Sequence, residues 1–272
     1  MLTAGREMMI KRHKWFEICR ELLSSLLFPP RCPVCDEILT PEEVENGIHL
    51  TCESKFYSIN GAVCMHCGKP IGSRNPKQEN IKFDIEQTRE YCYDCIAKGY
   101  HRHSCITQAK ALYVYKGVIK QTMYRFKYSN KREYASFFAK QAMKEYGAWM
   151  RQKGIEVIIP VPMYKKKQRK RGYNQAECFA KELSCVTGVP YVVDLVRRVR
   201  NTTPQKGLTE KERKNNLEKA FQIRENVVQY TCAMVVDDIY TTGSTAEAVA
   251  RELIKQGTHR VYLLTICIGE DM

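Results

Sequence analysis

The run Met234-Val235-Val236-Asp237-Asp238-Ile239-Tyr240-Thr241-Thr242-Gly243-Ser244-Thr245 leaves this chain few ways to fold. Ala233 to Val236 is short, apolar and β-branched, which predicts a buried strand. From Ser244 onward Ala246, Val249, Ala250, Leu253 and Ile254 recur at helical spacing, and Gly257 supplies a stop. The loop between strand and helix therefore lies at the carboxyl end of a sheet strand, where open α/β folds bind ligands.

The residue types in that loop point to its chemistry. Small hydroxylated residues around one glycine can aim amides and hydroxyls at a single point beside a helix N-terminus, which makes Thr241, Thr242, Gly243, Ser244 and Thr245 a phosphate cradle. Asp237 and Asp238 would repel the phosphate itself. They suit the hydroxyls of a sugar carrying it, or a divalent cation. The implied ligand is a sugar phosphate. Ser244-x-x-Glu247 also fits an ordinary capping box, in which case Ser244 competes for the same amides.

Four knuckles precede this region: Cys32-x2-Cys35, His49-x2-Cys52, Cys64-x2-Cys67 and Cys92-x2-Cys95. Two knuckles complete a tetrahedral structural zinc site, so eight ligands predict two closed sites with no open catalytic position. Sequential pairing joins Cys32, Cys35, His49 and Cys52, then Cys64, Cys67, Cys92 and Cys95; spacing also permits a crossed arrangement. His49 stands where the other knuckles place their first Cys, and a solvated His with Cys52 left free is the competing reading. The turn-rich stretch from Gly72 to Asn80 belongs to this ribbon, and His101, His103 and Cys105 read as linker. Thirteen Cys packed mainly as knuckles in a 272-residue basic chain favour metal in a reducing, cytoplasmic setting over disulfides.

The chain then divides into an amino-terminal amphipathic helix (1–30), a double zinc ribbon (31–105) and an α/β domain (106–272). Trp15, Phe16, Ile18, Leu22, Leu23, Leu26 and Leu27 form the apolar stripe of the first part, interrupted by Glu17, Arg20 and Glu21, so no membrane span is expected. Docking on its own protein and lying on a membrane surface or a partner both fit this stripe. In the third part, Ala111 to Tyr115, Val157 to Val161, Ala220 to Ile223, Cys232 to Val236 and Val261 to Ile268 alternate with helical patterns. A mostly parallel sheet with helices on both faces follows.

The formal charge of +14 calls for an anionic partner: a phosphorylated metabolite, a nucleic acid or a membrane surface. Its densest cluster, Lys165, Lys166, Lys167, Arg169, Lys170 and Arg171, reads as a loop. A polar segment from Arg197 to Lys214, with Arg198, Arg200, Thr202, Gln205 and Arg213, reads as functional or mobile.

Five features in one order resemble the ComF family of competence-associated proteins: the knuckles, Phe126-Lys127-Tyr128, Pro160-Val161-Pro162 with Arg171-Gly172-Tyr173-Asn174-Gln175, the Arg200-x-Thr202-x2-Gln205 to Arg213-x2-Asn216 segment, and the Asp237-Asp238 loop. His49 departs from the family pattern, in which that knuckle begins with Cys. The resemblance implies a type I phosphoribosyltransferase fold behind a zinc ribbon. It implies that Asp237 and Asp238 hold the ribose hydroxyls of 5-phosphoribosyl-1-pyrophosphate (PRPP), taken with magnesium, and that Thr241 to Thr245 hold its 5-phosphate. Arg171, Asn174, Gln175, Arg200, Thr202 and Gln205 are further loop candidates. Three functions remain in view. One is a transferase releasing pyrophosphate onto an unidentified base. Another is a DNA-uptake factor, with Lys165 to Lys170 and the Tyr124, Phe126, Tyr128 segment on single-stranded DNA. The last is a PRPP-binding adaptor whose ribbon meets other competence proteins.

Overall fold

The computed structural model describes residues 29–71, 90–199, 220–224 and 229–269. The amino-terminal helix, the Gly72–Asn80 segment, and Arg200, Thr202, Gln205, Arg213 and Asn216 lie outside the described residues. No helix among the described residues is long and apolar enough to cross a membrane.

The expected α/β class is the one observed. Strands β1 (Gln108–Val114), β2 (Val157–Pro160), β5 (Cys232–Tyr240) and β6 (Arg260–Ile268) form a parallel sheet in the order β1-β6-β5-β2. β3 (Val196–Arg198) and β4 (Phe221–Ile223) pair antiparallel in a separate ribbon. The central strands are apolar from Cys232 to Val236 in β5 and from Val261 to Leu264 in β6, because both faces are covered there. Along β5, Met234 and Val236 enter one core, whereas Ala233 and Val235 enter the other.

The first core takes α5 (Val118–Tyr128), α6 (Tyr134–Lys153) and α8 (Gln175–Thr187). Phe126, Phe138 and Phe179 are fully buried there, and cutting any of them to Ala should cost about 3–5 kcal/mol. The second core takes α9 (Ser244–Lys255) through Ala246, Val249, Ala250 and Leu253, the positions read from helical spacing. The basic run is α7 (Lys165–Arg171), a helix and not the loop expected; Gly172 in the left-handed region ends it.

The ribbon carries the short helices α1 (Pro41–Val44), α2 (Leu50–Glu53), α3 (Tyr93–Ala97) and α4 (Tyr100–His103). It wraps the outer edge of β1. The amide of Val114 donates to the carbonyl of Tyr57 at 2.9 Å, and that of Ala109 to His66 at 2.6 Å, so groups that would be orphaned at a sheet edge are paired. Gly68 sits at φ +76° with the Ala109 carbonyl where a Cβ would approach to 2.9 Å, so only glycine lets this knuckle lie on the strand. The halves of the ribbon fall on opposite faces: Cys32 and Cys52 join the first core, and Cys64, Cys67, Cys92 and Cys95 join the second.

Candidate ligand site and metal centres

β5 does not stop before the acids. It runs on to Tyr240, with Asp237 opposite Thr265 and Ile239 opposite Cys267 in β6. This extension places Asp237 and Asp238 within the strand and half-buried, beyond the strand end expected at Val236. Asp237 Oδ1 accepts from the Asp238 amide at 2.8 Å, and Asp238 Oδ2 meets Lys127 Nζ at 2.8 Å.

Two carboxylates at adjacent positions in a covered site cannot both ionise freely. Burial, then the charge of Asp238, pushes the Asp237 carboxyl up to about 7, against the Asp238 amide, Lys127 and Arg198. Burial alone would lower the Lys127 ammonium, but Asp238 and Asp237 reverse this and its pKa is raised. Burial holds the Arg198 guanidinium below its usual value, with Asp237 acting in the opposite sense. The acids are thus balanced by two cations, neither of which stood among the sequence candidates for the site. Lys127 could have been found from the Phe126-Lys127-Tyr128 motif. Arg198 lay in a polar segment with no periodicity to place it.

The turn follows directly. Gly243 adopts φ +73° and caps α9 without a side-chain bond; the Ser244 amide reaches Thr242 Oγ1 at 3.5 Å, and the amides of Thr245 and Ala246 are left for a ligand. Thr242 Oγ1 and Ser244 Oγ hydrogen-bond each other at 2.9 Å, which holds both hydroxyls on one side of the turn. Asp237, Thr241 to Thr245 and Thr265 line one cleft. Thr265 Oγ1 is buried with no hydrogen-bond partner among the described residues, an uncompensated cost unless a ligand or solvent fills it. Glu247 does not close a capping box. Its carboxylate accepts from Ser104 Oγ at 2.7 Å and from the Cys105 amide at 2.8 Å, which leaves Ser244 to the cleft.

The ligand atoms of Cys32, Cys35, His49 and Cys52 lie within 4.8 Å of one another, as do those of Cys64, Cys67, Cys92 and Cys95. This is the sequential pairing. His49 Nδ1 is 3.2 Å from Cys35 Sγ, and its Nε2 donates to the Ile38 carbonyl at 3.2 Å. A backbone acceptor on the far nitrogen fixes the tautomer that leaves Nδ1 for a metal. Both donor sets therefore fit zinc. His103 and Cys105 join neither cluster.

A double zinc ribbon domain model matches residues 23–96. Competence protein F of Haemophilus influenzae is 28% identical over 217 residues, covering 78% of this chain and 93% of the relative. Competence protein ComFC of Bacillus subtilis is 26% identical, covering 81% and 82%, and DNA utilization protein YhgH of Salmonella typhimurium is 29% identical, covering 81% and 96%. The chain is a ComFC/YhgH-like protein. An adenine phosphoribosyltransferase of known structure overlaps 55% of this chain and 76% of its own, with 20% identity and a TM-score of 0.33.

In this ComFC/YhgH-like chain the Arg171-Gly172-Tyr173-Asn174-Gln175 motif builds the site from behind. The Tyr173 hydroxyl and the Gln175 amide (3.2 Å) both donate to the carbonyl of Phe126, one of the last-turn acceptors of α5. That grip sets the end of α5 from which Lys127 reaches Asp238. Asn174 Oδ1 caps α8 at the Ala176 amide, and its Nδ2 donates to Val161 at 3.0 Å. Asn174 and Gln175 are therefore buried positioning groups. Arg171 bonds Gln175 Oε1 at 2.7 Å and stacks on Tyr128, 4.9 Å from the ring centre. Phe126 is core, while Tyr124 and Tyr128 are exposed with ring centres 5.0 Å apart. Lys165, Lys166, Lys167, Arg169 and Lys170 are exposed on α7. Desolvation, with the charges of Arg198 and Arg171 behind it, lowers the Lys167 ammonium, so α7 lies within reach of the Arg198 charge.

Proposed function

We propose that this chain binds PRPP with magnesium in the cleft between β5 and α9, and that it handles single-stranded DNA beside that cleft. One observation carries the reading: Asp237, the hydroxyl turn around Gly243 and the unpartnered Thr265 hydroxyl converge on one small cleft. An anion at the start of α9 and a polyhydroxylated sugar against the acids satisfy all three at once. Asp237 and Asp238 accept from ribose hydroxyls, and the amides and hydroxyls of Thr241 to Thr245 surround the 5-phosphate. Lys127 and Arg198 balance the acids and would face the pyrophosphate of the bound ligand.

A specific arrangement supports the DNA reading. The Tyr124–Tyr128 pair, with Arg171 on Tyr128, offers an exposed stacking surface beside the cations of α7. Aromatic stacking with a phosphate-tracking basic strip is the chemistry of sequence-tolerant single-strand binding. The names of the relatives, competence and DNA utilization proteins, favour the same role and other competence proteins as partners. The test is calorimetry of the zinc-loaded full chain with PRPP and magnesium, alongside Asp237→Asn/Asp238→Asn. Saturable binding lost in the double variant, whose melt remains cooperative, supports the assignment; equal binding by both refutes it.

A further inference from the structure

We propose that the all-cysteine metal site is the floor of the hydroxyl turn, with Tyr240 as the positioning residue between them, so that zinc at Cys64, Cys67, Cys92 and Cys95 sets the turn's grip on a phosphate monoester. The inference rests on the reading of that turn as a phosphate cradle.

Tyr240 is the last residue of β5 and is buried. Its backbone is pinned, since its carbonyl accepts from the Gly269 amide at 2.8 Å. Its ring lies directly against the turn: a Cβ on Gly243 would stand 2.5 Å from the phenol oxygen and 2.7 Å from Cζ. Gly243 is thus required twice, by its positive φ and by the ring beside it. Cys67, Cys95, Tyr100, Tyr240, Thr241 and Thr242 line one small cleft, so two of the metal ligands and two turn residues meet around the phenol. The four ligand cysteines belong to the same buried apolar cluster as Tyr240, Ala246 and Val249.

Glu247 supplies a second strut. It sits in the first turn of α9, and its carboxylate holds the Ser104 hydroxyl and the Cys105 amide, which lead out of the ribbon after α4. The ribbon therefore fixes the start of α9 from two sides: by a ring under Gly243 and by a carboxylate clamp at Glu247.

Four buried thiols within 4.8 Å of one another hold that arrangement only around a cation. When the cation leaves, the knuckles lose their fold, and Tyr240 loses one wall. The opposite core of α5, α6 and α8 makes no use of these cysteines. The loss is then local, concentrated at Thr241 to Thr245, with the sheet intact. A turn displaced from its ligand loses the alignment of several charge-assisted bonds at once.

The experiment uses the zinc-loaded full chain and calorimetry with PRPP and magnesium. Tyr240→Ala, checked to retain the wild-type zinc content, is expected to bind on the order of tenfold more weakly or worse, whereas Tyr240→Phe, which keeps the ring, stays within about twofold. In parallel, chelation that strips the all-cysteine site is expected to speed amide exchange across residues 241–245 while residues 232–236 remain protected. This arm decides alone should Tyr240→Ala not fold. Wild-type affinity in Tyr240→Ala, or unchanged exchange at the turn after zinc loss, overturns the inference and leaves the phosphate reading standing. If the zinc-loaded wild type itself binds no PRPP, the phosphate reading falls and takes the inference with it.

Discussion

Replacing Asp237 by Asn should stabilise the ligand-free protein at alkaline pH while weakening its ligand binding. The carboxyl is pushed up from about 4 in the unfolded chain to about 7 in the fold, by burial and by Asp238. A folded pKa above the unfolded one means that the stabilising contribution is present below pH 4 and is lost as pH rises through 7. Three units correspond to roughly 4 kcal/mol, so the ionised carboxylate weakens the empty fold by up to about that much at pH 8 and above. Asn keeps an acceptor for the Asp238 amide, but its own amide group must be buried there without an added partner, which reduces the gain to about 2–3 kcal/mol. For a chain of this size that is a rise of roughly 4–10 °C in melting temperature. The assay is a paired thermal melt of zinc-loaded wild type and Asp237→Asn from pH 5 to 8.5. The advantage should shrink toward zero by pH 5, where Asp237 is already protonated. A variant no more stable than wild type at pH 8, or one whose advantage ignores pH, would refute the reasoning. Such a trade, in which a binding group destabilises its own fold, is common at functional sites.

Lys127→Met removes the cation from Asp238 and should cost about 1–3 kcal/mol at pH 8, less at pH 5 where Asp237 is neutral; urea melts at the two values measure the difference. Tyr124→Ala with Tyr128→Ala should weaken single-stranded DNA binding at every salt concentration, by about 1–3 kcal/mol per stacked base. By contrast, Lys165→Ala, Lys166→Ala and Lys167→Ala together should flatten the salt dependence, by roughly 0.7 in slope for each phosphate no longer neutralised; an unchanged slope moves the DNA elsewhere. Metal analysis should give two zinc ions per chain with Cys52 shielded from alkylation, and one ion with Cys52 modified would strike His49 from the ligand set.

The parts of this protein that rest on local spacing were legible in its sequence. The knuckles show ligand identity within a few residues, and the inward face of α9 follows apolar periodicity, so Ala246, Val249, Ala250 and Leu253 fall where expected. The path of β5 was not legible, because two adjacent acids break an apolar run although β6 still supplies backbone partners through Tyr240. The helix at Lys165–Arg171 carries no apolar stripe to announce it. Asn174 and Gln175 looked like ligand contacts because their partners are the carbonyls of Val161 and Phe126, and backbone acceptors leave no mark in a sequence. The competing capping-box reading at Ser244 fails for a related reason. Glu247 is engaged by Ser104 and Cys105, residues more than a hundred positions away.

The most direct measurement is a crystal structure of the zinc-loaded chain with PRPP and magnesium. Ribose hydroxyls are expected within hydrogen-bond distance of Asp237 and Asp238, the 5-phosphate enclosed by residues 241–245 with Thr265 no longer unpartnered, and Lys127 turned from Asp238 to the pyrophosphate. Ligand density away from the β5–α9 cleft, or a 5-phosphate seated on α7 with the Lys127–Asp238 pair unbroken, would contradict it.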